Sequence, residues 1–148
     1  MDYGAKAPEN WLGLPEAERA TRAKLSADVC IIDQKEFYVR GCVEIPVLDS
    51  AEIFVWGVWV SVSEESFRYI HEKWDSPIDD NEPPRFAWLY TWLRGYPDPA
   101  DIKCHLFLRS GNQRPRIVLE ATDYPLAVDQ RRGITLERVK QIAADSGH

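Results

Sequence analysis

The hydrophobic pattern of the chain is densest over residues 53–63, where apolar side chains occupy both faces of an extended segment. The even positions from Phe54 to Val62 are all apolar, and the odd positions stay apolar as far as Trp59 before giving way to serines. Such runs are typical of central strands that are covered on both sides. We therefore predict that the even face meets the main core and that a second layer, or a partner, covers Trp59.

Helical spacing of apolar residues begins after Ser63, which we predict to be an N-cap. The apolar stripe of this helix consists of Phe67, Ile70 and Trp74. Two more helices are predicted near the end of the chain, one over residues 125–130 and one after the cap residue Thr135. A short helix over residues 15–27 is predicted to follow an anchoring loop formed by residues 1–14.

Alternation of apolar and polar residues with a period of two predicts the remaining strands. They cover residues 29–32, 37–45, 86–90, 102–109 and 115–122. The last two form a hairpin in which even positions of one strand face odd positions of the other, because only that register puts both apolar faces on one side. Gly41 interrupts an apolar face, so it marks a bulge or the close approach of another backbone. The fold class is α+β, a mostly antiparallel sheet of five or six strands with helices packed on it.

Composition limits the class of protein. The chain has 148 residues, 45% of them hydrophobic, which is enough for one core, so residues 1–148 are predicted to be a single domain with an exposed acidic, proline-rich loop over residues 75–85. The net charge of −6 argues against a nucleic-acid partner, which requires a basic surface. No apolar run is long enough to span a membrane and no signal-peptide pattern opens the chain, so we expect a cytoplasmic protein with no membrane partner.

Cysteines and glycines give no indication of a metal or cofactor. Cys30, Cys42 and Cys104 lie far apart in strand patterns, without the paired spacing of a zinc site. We therefore expect reduced thiols and predict no metal site. No glycine-rich phosphate loop, nucleophile elbow or zinc-protease helix is present, and we predict no cofactor.

One set of residues is compatible with acid–base catalysis. In the predicted hairpin, His105 and Glu120 lie on neighbouring strands and share a face, and an imidazole beside a carboxylate can act as a general base. Arg40 or Arg109 would then bind an anion, and the protein would be a small hydrolase or transferase. The alternative, which we favour, is a half-exposed sheet surface with cross-strand charge pairing.

Aromatic residues, with six tryptophans among them, are more numerous than a core of this size readily buries. Tryptophan and tyrosine favour sites with one wet edge, such as grooves and interfaces. The residues that we assign to such a surface are Trp59, Trp88, Trp92 and Tyr96. The alternative is that they only fill the core and cover the sheet. We expect a non-catalytic binding or protein-interaction domain whose partner is a protein, a small molecule or a second copy of the chain in a homodimer.

Four blocks of sequence together resemble the prokaryotic domain of unknown function 2199 family. They are residues 28–33 with 37–41, residues 44–47, residues 54–61, and residues 123–127 with Gln130 and residues 133–135. The resemblance covers nearly the whole chain, and its most specific element is the Trp-Gly-Val-Trp sequence at residues 56–59. The family has no assigned activity, so the resemblance implies no function. Its members commonly have a histidine where this chain has Tyr124 and often begin with a Cys-x-x-Cys-Gly element that this sequence lacks, so it implies neither a histidine-based site nor a metal site here.

Overall fold

A computed structural model of the protein describes residues 2–145, which form eight strands and five α-helices. The strands are β1 (Asp2–Gly4), β2 (Ala23–Leu25), β3 (Val29–Ile32), β4 (Glu36–Pro46), β5 (Ile53–Val62), β6 (Arg85–Leu89), β7 (Lys103–Phe107) and β8 (Arg116–Leu119). The helices are α1 (Glu9–Leu12), α2 (Arg19–Arg22), α3 (Glu64–Lys73), α4 (Pro125–Arg132) and α5 (Leu136–Asp145), with a 3₁₀ turn at Glu16–Glu18 before α2. The predicted α+β class is confirmed.

Five consecutive strands, β4 to β8, close into a barrel. Each pairs antiparallel with the next, and β8 returns to β4 in parallel where Cys42 pairs with Arg116. One parallel pair is required because, in an up-and-down series of five strands, the first and the fifth run in the same direction. The predicted sheet of five or six strands is corrected to eight strands that include a closed barrel, since local alternation carries no sign of closure.

Closure of the barrel depends on Gly41 of β4. A Cβ atom at this position would lie 2.5 Å from Cγ1 of Ile117 and 2.9 Å from the carbonyl oxygen of Pro115. The prediction that another backbone approaches Gly41 closely is confirmed. Next to this contact, the side chain of Gln130 on α4 continues the pairing of β8: its Oε1 accepts from the Leu119 amide at 2.9 Å, and its Nε2 donates to the Ile117 carbonyl at 2.8 Å.

The main core fills the barrel and the space beneath α3, α4 and α5. The even face of β5 is buried there, as predicted, through Phe54, Trp56, Val58, Val60 and Val62. Ser63 caps α3 by accepting a hydrogen bond from the Ser66 amide at 3.1 Å, and Thr135 caps α5 in the same way through the Arg138 amide at 3.2 Å. Both predicted caps are confirmed. The hairpin register is also confirmed, because Cys104 pairs with Leu119.

The first part of the chain departs most from the prediction. The helix expected over residues 15–27 is wrong beyond Arg22, because residues 23–25 form β2 and pair with β3. Within the predicted anchoring loop, residues 2–4 form β1 and pair in parallel with β5, and residues 9–12 form α1. Three-residue strands are too short for alternation to show, so only their partners define them. The acidic loop lies where predicted but ends at residue 84, one residue earlier.

A second, smaller core lies on the opposite face of β5. Its buried members are Cys30, Ile32, Tyr38 and Trp59. The N-terminal segment, defined here as residues 5–14, covers them through Ala5, Trp11 and Leu14. The indole nitrogen of Trp59 donates to the Ala5 carbonyl at 3.1 Å. The predicted second layer over β5 is therefore supplied by the chain itself.

Candidate functional site

A groove of about 480 Å³ opens between the end of β6 and the loop that precedes β7. We call it the aromatic groove, and its lining residues are Glu9, Trp88, Leu89, Tyr90, Trp92, Asp98, Pro99, Ala100 and Asp101. Its volume lies in the range of small-molecule sites. Two of the residues predicted to bind a partner, Trp88 and Trp92, therefore lie together in one concave surface.

The alternation of β6 continues beyond its last paired residue and aims Trp92 outward. Leu89, Thr91 and Leu93 are buried, whereas Trp92 is 52% exposed. The hydroxyl of Thr91 accepts from the Trp59 amide and donates to the Trp59 carbonyl at 3.2 Å, so one side chain holds both backbone groups of Trp59. The Tyr90 amide donates to the same carbonyl at 2.9 Å. The second core therefore anchors the wall of the groove.

Two hydrogen bonds fix the exposed Trp92. Its indole nitrogen donates to the Tyr96 carbonyl at 2.8 Å, and its backbone amide donates to Oε1 of Glu9 at 3.3 Å. The Glu9 amide in turn donates to the Tyr90 carbonyl at 3.1 Å, which docks the start of α1 beside the groove. A ligand that contacted Trp92 would meet a side chain whose orientation is already determined, which lowers the entropic cost of binding.

The opposite wall is acidic. Oδ1 of Asp98 accepts a hydrogen bond from the Ala100 amide at 3.0 Å. Asp101 has a φ of 61°, a left-handed conformation that aspartate tolerates better than most residues. The Tyr124 hydroxyl at the start of α4 donates to the Pro97 carbonyl at 2.7 Å and holds the loop in place. Burial, with a smaller contribution from Asp98, raises the pKa of Tyr124 to about 12, so this hydroxyl remains a donor at neutral pH.

The groove carries negative charge without a basic side chain in its lining. Within residues 2–145, no lysine or arginine forms an ion pair with Glu9, Asp98 or Asp101. Lys103 of β7 lies outside the lining and places its Nζ 5.8 Å from the centre of the Trp88 ring. The groove therefore combines aromatic surface with unneutralised carboxylates.

Two predicted binding residues lie elsewhere. Trp59 is completely buried in the second core, so its predicted place in a groove or interface is wrong. Tyr96 is also buried, and its hydroxyl donates to Oδ2 of Asp129 at 2.6 Å; burial and then the Asp129 carboxylate raise its pKa. Tyr96 positions Trp92 through its carbonyl and does not line the groove. Glu9, Asp98 and Asp101 were not predicted as site residues, because a loop and an N-terminal helix bring them to the groove only in the folded protein.

The residues considered for catalysis do not converge on a pocket. His105 and Glu120 are both exposed on the outside of the barrel, and neither lines the groove. Arg40 lies on β4 opposite Trp59, on the far side of β5 from the main core. Arg109 pairs with Glu44 at 3.4 Å and donates to the Arg114 carbonyl at 2.9 Å. The pair of Arg109 and Glu44 joins the segment after β7 to β4. Among the described residues, none of the ion pairs involves His105 or Glu120, so cross-strand charge pairing at these two residues stays a prediction.

The thiols and the acidic residues show no metal centre among the described residues. No group of three or more histidine, cysteine, aspartate or glutamate side chains is placed to hold an ion there. Cys30 and Cys104 are buried, and burial raises the pKa of the Cys30 thiol to about 11 and that of Cys104 to about 12. None of the described helices is both long and apolar enough to cross a membrane.

Comparison with known families agrees with the four sequence blocks. The model of a family described as "Uncharacterized protein conserved in bacteria (DUF2199)" matches residues 1–134. The chain belongs to this family. The matched span contains the whole barrel, the N-terminal segment and every residue of the aromatic groove. No curated protein and no solved structure shows a significant match. The description of the DUF2199 family names no activity.

Proposed function

We propose that this protein is a non-catalytic binding domain whose ligand is a small molecule held in the aromatic groove. The observation that carries the proposal is Trp92, a large apolar side chain that is 52% exposed and yet is hydrogen-bonded at both its amide and its indole nitrogen. The indole hydrogen bond to the Tyr96 carbonyl sets the orientation of the ring, and the amide hydrogen bond to Glu9 holds the backbone that carries it. A ring that receives a ligand benefits from both, because its position is settled before binding.

The position of the groove in the fold supports the same proposal. One wall continues β6 of the closed barrel, and Thr91 fastens that wall to Trp59 in the second core. The other wall is held by Tyr124 at the start of α4. Binding sites built on rigid elements hold their geometry better than sites on mobile loops. The groove also has the volume and the mixed aromatic and polar lining that small-molecule sites share.

A fragment screen followed by protein NMR tests this proposal. Fragments that bind are expected to shift the backbone and indole signals of Trp88 and Trp92. The Trp92→Ala substitution is expected to lower the affinity for these fragments at least tenfold. Ile53→Ala is the matched control, because Ile53 is also a large exposed hydrophobic residue, at 60%, and lies outside the groove. Binding at other surfaces, or binding that Trp92→Ala leaves unchanged, would contradict the proposal.

A further inference from the structure

We propose that the ligand of the aromatic groove is a small organic cation that carries an ammonium group, an inference that rests on the proposed function. The first support is charge. Glu9, Asp98 and Asp101 line the groove, no basic side chain does, and no lysine or arginine of the described residues is paired with these carboxylates. A cation entering the groove gains attraction from all three, and an anion is repelled.

The aromatic lining is the second support. The face of a tryptophan ring attracts a cation within about 6 Å of its centre, and sites for quaternary ammonium groups use aromatic side chains for this purpose. At Trp88 the ammonium of Lys103 already takes this position, 5.8 Å from the ring centre, so we assign the ligand's cation to Trp92. Trp92 offers the larger exposed surface, at 52%.

The lining also distinguishes an organic cation from a metal ion. Hard metal ions require several oxygen ligands around one point. Among the described residues, no such group of side chains occurs, in the groove or elsewhere. An ammonium group on a carbon skeleton suits a groove with indole rings on one wall and carboxylates on the other, because the methylene or methyl groups pack on the rings while the charge faces the carboxylates.

The size of the groove favours a free small molecule over the lysine side chain of a protein partner. A volume of about 480 Å³ is that of a small-molecule site. A stable protein interface buries more than about 1,000 Å² and needs a broad surface around its central pocket. We therefore assign the ammonium group to a small metabolite-sized compound.

Calorimetric titration with two matched pairs of probes tests the inference. Choline and 1,4-diaminobutane are the cations; 3,3-dimethyl-1-butanol and 1,4-butanediol are the corresponding neutral compounds. At least one cation is expected to bind roughly five- to thirtyfold more tightly than its neutral counterpart, as a cation–π contact with charge attraction predicts. Raising the salt concentration is expected to weaken the binding of the cation, because screening reduces the attraction.

Variants locate the effect. Asp101→Asn removes charge at nearly constant size, and Trp92→Leu keeps an apolar side chain but removes the ring; each is expected to weaken cation binding at least threefold. Asp75→Asn is the matched control for total charge, since Asp75 lies in the exposed acidic loop outside the groove, and it is expected to leave affinity unchanged.

Three outcomes would overturn the inference. In the first, each neutral compound binds as tightly as its cation; in the second, fragments occupy the groove but neither cation does. In both, the groove is still a binding site and only the ligand class is wrong. In the third, a lysine-containing tripeptide binds more than tenfold more tightly than both cations, which would assign the ammonium group to a peptide. If no fragment and no cation binds the groove, the proposed function fails together with the inference.

Discussion

The indole nitrogen of Trp59 donates a hydrogen bond to the carbonyl oxygen of Ala5, 3.1 Å away, and so ties the centre of β5 to the N-terminal segment. The same segment carries Glu9, which holds the Trp92 amide at the edge of the groove. On the other side, Thr91 joins the backbone of Trp59 to the wall that presents Trp92. The shape of the groove therefore depends on a residue that never contacts solvent.

Replacing Trp59 with phenylalanine is expected to lower the free energy of unfolding by about 2 kcal/mol, because it removes buried surface and leaves the Ala5 carbonyl without its donor. Trp92→Phe is the comparison and is expected to cost about 1 kcal/mol or less, because it removes one indole hydrogen bond at a half-exposed position and little buried surface. Urea unfolding followed by circular dichroism measures both. Equal losses in the two variants would show that the N-terminal segment does not depend on Trp59.

Gly41→Ala is expected to destabilise the protein by about 3 kcal/mol, because the new Cβ would overlap Ile117 and the Pro115 carbonyl where the barrel closes. Gly13→Ala provides the matched comparison. Its Cβ would meet nothing closer than 3.5 Å, at the Glu9 carbonyl, so we expect little change. Thermal or urea unfolding of the two variants tests whether β4 closes on β8. A Gly41→Ala variant as stable as the native protein would refute this closure.

Gln130→Ala is expected to cost about 2 kcal/mol, since the Leu119 amide and the Ile117 carbonyl both lose their partner. Hydrogen exchange gives a local test. In the native protein the Leu119 amide is expected to exchange slowly, and in the variant it is expected to exchange at least tenfold faster. The amide of Leu89 on β6, two strands away, donates to the Ile102 carbonyl at 2.9 Å and is the control for general loosening. If the Leu119 and Leu89 amides exchanged faster by the same factor, Gln130 would stabilise the whole fold and would not specifically protect β8.

The stability of the protein is expected to fall as the pH rises above about 9. Burial raises the pKa of Cys104 from 9.0 to about 12 in the folded protein, so this thiol ionises first in the unfolded chain. The stabilisation that the protonated Cys104 thiol gives the folded protein is fully present below pH 9 and is lost progressively between pH 9 and about 12. Urea unfolding at several pH values between 8 and 10.5 should show a steeper loss in the native protein than in Cys104→Ala. Parallel pH profiles would contradict this assignment.

The sequence predicted those parts of the fold that depend on residues close together in the chain. The Ser63 cap, the two faces of β5 and the register of the β7–β8 hairpin follow from local spacing and are all confirmed. Closure of the barrel pairs Cys42 of β4 with Arg116 of β8, which are separated by half of the chain, and no local pattern reports it. Gly41 was the one available signal, and it indicated a close approach without naming the partner.

The candidate site shows the same limit. Trp88 and Trp92 were predicted as binding residues from the aromatic surplus, and the structure places both in the groove. Trp59 has the same side chain and a completely different environment, because the N-terminal segment folds over it. The acidic side chains come from α1 and from the loop before β7, which meet only in the folded protein. Residue type alone thus indicated an aromatic surface. The negative charge of that surface could be recognised only from the tertiary structure.

The most direct measurement is the shift of the tryptophan indole N–H signals during titration with choline and with its neutral counterpart, 3,3-dimethyl-1-butanol. We predict that choline shifts the Trp88 and Trp92 signals along one saturable curve and that the buried Trp59 signal moves little. We expect the neutral compound to produce the same effect only at several-fold higher concentration. Choline that left the Trp92 signal unmoved, or that acted no more strongly than the neutral compound, would contradict this prediction.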